Sequence, residues 1–338
     1  MSEQTAHPSP GLFFDTITAY QRSAALKAAI DLEFFTAIGE GNATVPQIAE
    51  RCAASERGTR ILCDNLAIQG FLTKVDGRYA LTPDSAAFLD KRSPMYMGSA
   101  AGFLFSPMLA DGFKDLTPVV RSGRTSMQEQ GTVTPDHPVW VDFARCMAPM
   151  MAMPAQLIVK EVGGDPNRKM KILDIAAGHG LFGIAFAKAF PNAEVVAQDW
   201  ENVLQVAQEN AQAAGVCDRY CTIPGNAFEV DFGTGYDLIL LTNFLHHFDP
   251  PTNETLLRKV HASLAEGGQA VALEFIPNPD RVTPPPTASF SLIMLGSTPS
   301  GDAYTYAELD SMFINAGFSS TEFRALPPTV QQIVIAQK

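Results

Sequence analysis

The chain has 338 residues, 46% hydrophobic and 18% charged, a composition of compact globular protein with room for two domains rather than of disorder. Lys and Arg total 24 against 36 Asp and Glu, so the net charge of -12 argues against the basic footprint that nucleic acid or an anionic membrane demands. No apolar run approaches the ~18 residues of a membrane span, and Met1–Pro10 lacks the pattern of a secretory leader.

From Leu12 to about Arg92 the pattern is short helices closed by a hairpin. Thr44 can cap a helix through Arg51, and Ser55 the next, which runs to Gln69 and stops at Gly70. Phe71–Val75 and Arg78–Leu81, joined by Asp76-Gly77, carry a hairpin signal, and Thr82-Pro83 restarts a helix. Helix, helix, hairpin is the layout of a winged helix. Residues 1–92 hold nine Lys/Arg against eleven Asp/Glu, and the would-be recognition helix carries Glu56 and Asp64 beside Arg57 and Arg60. Phosphate contacts need a basic face, so a protein–protein role is expected instead of DNA binding.

Residues 93–164 read as helical and rich in Phe and Met, broken by a loop near 122–138. From Met170 the chain alternates strand and helix, with strands expected at Lys171–Ala176, Glu194–Gln198, Tyr236–Thr242 and Gln269–Phe275. Two more, near Phe318–Arg324 and Val330–Ala336, are separated by a Pro-Pro turn and must be antiparallel. This alternation predicts a doubly wound α/β sheet. The expected domains are 1–92, 93–164 and 165–338. Of the five cysteines only Cys217 and Cys221 lie close in sequence, which suits reduced thiols in a soluble cytoplasmic protein.

The stretch Ile172–Gly183 runs a strand into a turn of small residues and then a helix. Glycines are needed there because a ligand must touch backbone. Gly178, Gly180 and Gly183 spell G-x-G-x-x-G, which taken literally allows a dinucleotide. Asp174, four residues before the first glycine, would repel a pyrophosphate but can meet a cationic amino group. Asp199, 19 residues after Gly180, ends the next strand, where a carboxylate accepts hydrogen bonds from ribose hydroxyls. Gly225-Asn226-Ala227-Phe228 follows a further strand and offers a polar side chain and an aromatic cover for adenine. These features favour S-adenosylmethionine.

His246 and His247 arrive beyond the carboxyl end of the strand Tyr236–Thr242, where ligands bind in open α/β sheets. A phenol ionises near ~10 and histidine near ~6.5, so His246 suits the task of a general base for methyl transfer. His247 reads as a polar residue starting the following helix. Neighbouring residues point apart, so no metal is expected at the pair. Glu274, at the end of the adjacent strand, can orient the imidazole. Glu308 has a local explanation in the capping box Thr305-x-x-Glu308.

Nearly the whole chain, from about Leu12 to Ala336, closely resembles the plant-type small-molecule O-methyltransferases, including the caffeic acid and acetylserotonin enzymes and bacterial relatives. The carrying residues are Leu26–Leu32, Gly70–Pro83, the glycine motif with alanines at 176 and 177, Gly225–Phe228, and Leu245-His246-His247-Phe248. The resemblance implies a Rossmann-like catalytic domain preceded by a winged-helix dimerisation domain, S-adenosylmethionine as cofactor, a homodimer, His246 as base and Glu274 as its flanking acid. Thr242 falls where plant members place a lysine near the donor's carboxylate, and Ala303, with Asp302 beside it, where they place a second acid. The acceptor segments would include Phe103, Phe105 and Met108, the stripe Phe143, Met147, Met150 and Met151, and Phe290 and Met294. The implied acceptor is a small aromatic or polyketide-like hydroxyl compound. Methylation of carbon or nitrogen, a nicotinamide-dependent oxidoreductase and a non-catalytic metabolite sensor are the competing readings.

Overall fold

The computed structural model describes residues 8–127, 131–134 and 137–338. The reading of Met1–Pro10 therefore falls largely outside the described residues, as does part of the loop near 122–138. The chain divides into two compact units, Met1–Ala101 and Gly102–Lys338.

In the first unit, helices Ala19–Asp31, Phe34–Gly39, Val45–Arg51 and Glu56–Ile68 precede strands β1 (Leu72–Val75) and β2 (Arg78–Leu81). Ser55 Oγ caps the fourth of these helices by accepting from Gly58 N at 3.1 Å. The hairpin turn places Asp76 and Gly77 at φ 48° and 74°, the left-handed pair that matches strand twist. Phe34, Phe35, Ile48, Leu66 and Tyr79 form the core. Asp64 accepts from Tyr79 Oη at 2.6 Å and pairs with Arg60 and Lys74 at 3.0 and 2.5 Å. Asp64 thus ties the hairpin strands to the helix Glu56–Ile68 through Tyr79 and Lys74.

The second unit is built on seven strands: β3 (Met170–Ile175), β4 (Ala193–Asp199), β5 (Tyr220–Pro224), β6 (Tyr236–Thr242), β7 (Leu264–Glu274), β8 (Ser320–Ala325) and β9 (Gln332–Gln337). Their order is β5-β4-β3-β6-β7-β9-β8. The first five are parallel; β9 runs antiparallel to β8, as the Pro-Pro turn predicts, and also to β7. Successive side chains face opposite sides of the sheet. Ile172, Val195 and Leu240 enter one core and Leu173, Ile239 and Leu241 the other. A sheet buried on both faces explains the near-continuous apolar runs.

Besides β7, which begins five residues earlier than expected, two boundaries beside the site differ from expectation. β3 ends at Ile175 because Ala176 turns left-handed at φ 52°, a conformation that costs an L-residue about 1–2 kcal/mol and is reserved for tight turns. The residues after β6 form a short 3₁₀ turn, Leu245–His247, and the next helix begins only at Pro250, capped by Asp249 Oδ1 accepting from Thr252 N at 2.9 Å. His247 therefore does not start a helix. The capping box at Thr305 and Glu308 is present, Thr305 N donating to Glu308 Oε2 at 2.9 Å.

Candidate active site

The strand order reverses between β3 and β6, and the loops leaving their carboxyl ends spread apart there. A cavity of about 610 Å³ lies at that point, within the second unit. Its floor is the turn after β3, and its sides are the ends of β4, β5 and β6. The helix Val139–Val162 closes it with Trp140, Phe143, Met147 and Met151, spaced so that one face looks inward.

The glycine turn divides its labour. Gly178 lines the cavity; a Cβ there would meet only Ala176 O and a Phe143 ring carbon, at 3.9 and 4.0 Å. Its N–H donates to Asp199 Oδ2 at 2.7 Å, while Trp200 N donates to Asp199 Oδ1 at 2.7 Å. Gly180 does not line the cavity, because its Cα packs on Tyr220 and Ala207, leaving a Cβ only 2.5 Å from Tyr220 Oη. Asp174 is also a correction. It is fully buried beneath the turn, accepts from Gly183 N at 2.9 Å, and lines no part of the cavity. Burial drives its carboxyl up to about 7, against the bond from Gly183 N that favours the ionised form.

Asp199 does reach the cavity, as do Asn226, Ala227, Phe228 and Thr242. Asn226 Oδ1 accepts from Phe228 N at 3.0 Å, which sets the ring of Phe228 edge-on to Phe248 with centroids 5.0 Å apart. Trp200, one residue past Asp199, is a lining residue that sequence reasoning missed, although an aromatic directly after the strand-end acid was its signal.

His246 is 5% exposed and lines the cavity; Glu274, 3% exposed, stands behind it. His246 Nδ1 lies 2.5 Å from Glu274 Oε2. Glu274 Oε1 accepts from the N–H groups of Phe244 and Leu245 at 3.1 and 2.8 Å, so the carboxylate is held by three bonds. Asp302 takes no part: its side chain pairs with Arg281 at 3.2 Å and its backbone N–H donates to His246 O at 3.0 Å. Ala303 is fully buried. Phe103, Phe143, Met147, Met151, Phe290 and Met294 line the cavity as expected, whereas Phe105, Met108 and Met150 do not. Phe275, stacked on Phe290 with centroids 4.0 Å apart, and Trp140 were missed, since periodicity does not say which side of a helix or loop faces a hole.

Residues 115–319 match the O-methyltransferase domain, and residues 14–91 the O-methyltransferase dimerisation domain. The chain belongs to the O-methyltransferase family. As an O-methyltransferase it uses S-adenosylmethionine as methyl donor. Among similar proteins is 3-hydroxy-5-methyl-1-naphthoate 3-O-methyltransferase of Streptomyces sahachiroi, 27% identical over 92% of this chain and 90% of that one. L-Tyrosine C(3)-methyltransferase of Streptomyces lavendulae is 26% identical, covering 89% and 84%. A crystal structure from Nostoc punctiforme, provisionally assigned as an O-methyltransferase, superposes with a TM-score of 0.95 at 56% identity, covering 98% and 100%.

The cavity fits the methyl donor on this chain's own features. Gly178 leaves open the space a Cβ would fill, Asp199 offers carboxylate lone pairs at a strand end, and Asn226 with Phe228 offers a polar edge beside an aromatic face.

Proposed function

We propose that the protein methylates a hydroxyl of a small aromatic or polyketide-like acceptor, with His246 as general base and Glu274 as the acid that orients it. The observation that carries this reading is the 2.5 Å contact between His246 Nδ1 and Glu274 Oε2. An ionised carboxylate only accepts, so Nδ1 carries the proton and Nε2 keeps the lone pair that a base needs. S-Adenosylmethionine, when bound, supplies an electrophilic methyl group on a sulfonium. Nε2 takes the acceptor's hydroxyl proton as that oxygen becomes a nucleophile, and Glu274 stabilises the imidazolium that forms. Phe290, edge-on to His246 with centroids 4.8 Å apart, and Phe275 behind it give a flat ring an apolar wall. Asp199 is the residue for the ribose hydroxyls, Asn226 and Phe228 for adenine, and Gly178 and Thr242 border the donor's amino-acid end.

The dimerisation domain supports a homodimer. Leu12, Phe13 and Ile17 stand exposed on the helix Gly11–Ile17, an apolar surface suited to a second copy.

The relative that methylates C3 of tyrosine favours a second reading. Removing a phenol proton at His246 also enriches the neighbouring ring carbon, so the same base serves methylation of carbon. One experiment addresses both. Deuterium-labelled S-adenosylmethionine is incubated with small-molecule extracts and either wild type or His246→Ala. A labelled product is expected with wild type, and about 10²-fold less or lower still with the variant, at near-unchanged affinity for S-adenosylhomocysteine. Full activity of His246→Ala overturns the base assignment, and NMR of the product separates O-methyl from C-methyl.

A further inference from the structure

His247 has no part in the reaction described above. Its ring lines the cavity beside that of His246, with centroids 4.3 Å apart and planes tilted by 54°. The edge of Trp140 packs against it at 5.3 Å, and Phe248 at 6.2 Å. Its Nδ1 is buried and has no hydrogen-bond partner among the described residues. Five other buried side-chain polar atoms share that condition, on Thr59, Asp174, Asn202, Tyr220 and Asn253, and none of those residues lines the cavity. Nδ1 is closed off from the cavity as well as from solvent, so what the cavity meets is the rest of this half-buried ring. Burial, and next the neighbouring His246, hold the His247 imidazole well below its ordinary range, so the ring is neutral. A neutral imidazole offers one N–H donor and one acceptor nitrogen, the equipment for hydrogen-bonding an oxygen without abstracting its proton.

We propose that His247 is a positioning residue that hydrogen-bonds a second oxygen of the acceptor, on the atom next to the one whose hydroxyl faces His246. The proposal rests on the reading of His246 as base. Two imidazoles side by side match two oxygens on adjacent ring carbons, so the enzyme selects ortho-oxygenated acceptors over simple phenols. His247 thereby also fixes which hydroxyl meets His246. A site built to bond an oxygen rejects an analogue lacking it, because the imidazole is then left unpaired.

The test compares 2,3-dihydroxynaphthalene with 2-naphthol, ligands of near-equal size and apolar area. Their dissociation constants are measured by calorimetry on the full chain saturated with S-adenosylhomocysteine, so that no turnover is required. The diol is expected to bind wild type about 10- to 100-fold more tightly. His247→Phe should collapse that ratio to near one, and His247→Asn, which keeps a donor and an acceptor, should restore part of it. Because the readout is a ratio between two ligands on the same protein, a general loss of folded material does not imitate it. Equal affinities in wild type, no measurable binding of the diol, or a ratio that survives in His247→Phe overturns the proposal. His246→Ala is measured in parallel. A preserved ratio with full turnover removes the base reading alone, and a lost ratio in wild type removes the His247 proposal alone.

Discussion

Asp199 ends β4 with one carboxylate oxygen facing Gly178 N and the other facing Trp200 N, yet burial holds its carboxyl up at about 6. Two backbone donors do not fully replace the water the group has lost. The folded pKa thus lies above the unfolded value of ~3.9. Between those values the folded chain keeps a proton that the unfolded chain releases, so this group's contribution to stability falls as pH rises from about 4 to 6. Ligand binding has the opposite sign. On the ribose role proposed for Asp199, the hydroxyls donate to the ionised form, so affinity for S-adenosylhomocysteine should strengthen as pH rises through about 6 and level off above 7. Calorimetry from pH 5 to 8 checks this, and Asp199→Asn should weaken binding and flatten the step. A step that persists unchanged in the variant would assign it to another group.

The turn after β3 shows how one short element separates architecture from binding. Gly180, at φ 73°, would bring a Cβ 2.5 Å from Tyr220 Oη and 2.9 Å from Ala207 Cβ. Gly178, at φ 58°, has its open side toward the cavity. Gly180→Ala combines left-handed strain with overpacking and should cost about 2–4 kcal/mol of stability. Gly178→Ala adds only the strain, about 1–2 kcal/mol, but should weaken S-adenosylhomocysteine more than tenfold because the methyl group occupies ligand space. Urea melts and a ligand titration on both variants distinguish the two roles. The same division explains Asp174, which sits under the turn and bonds Gly183 N instead of facing the ligand. On the helix Val139–Val162, Met147 and Met151 reach the cavity, Met151 while also belonging to the core beside the sheet, and half-buried Met150 packs against that core without reaching the cavity.

At the scale of the whole molecule, the cavity exists because the sheet reverses its strand order between β3 and β6 and the long helix covers the gap. A ligand seated there binds the folded chain and not the unfolded one. At 100 times its dissociation constant, S-adenosylhomocysteine should add about 2.7 kcal/mol, raising the melting midpoint of this unit by about 5–10 °C. Differential scanning calorimetry with increasing ligand checks this; a midpoint that does not move with ligand would contradict binding to the native cavity.

The amino-acid sequence by itself determined the strand–helix alternation, the antiparallel ending, the hairpin at Asp76-Gly77 and part of the cavity's lining, because each has a local cause. Apolar runs follow from burial on both sheet faces, turn residues from backbone sterics, and strand-end acids and histidines from their place in an alternating pattern. The first unit's acidic balance was likewise a matter of counting. Only the tertiary structure decided which side of each element faces the cavity. Asp174 and Gly180 share a motif with Gly178, yet they face the packed side. Trp200 and Phe275 line the cavity although nothing in their periodicity marks them, and Trp140 does so in phase with a stripe that periodicity alone could not tell from core. His247, read as the start of a helix, instead ends a 3₁₀ turn beside His246. Periodicity reports that a face is buried, but a core and a substrate are both apolar neighbours, and only the packing of distant segments tells one from the other.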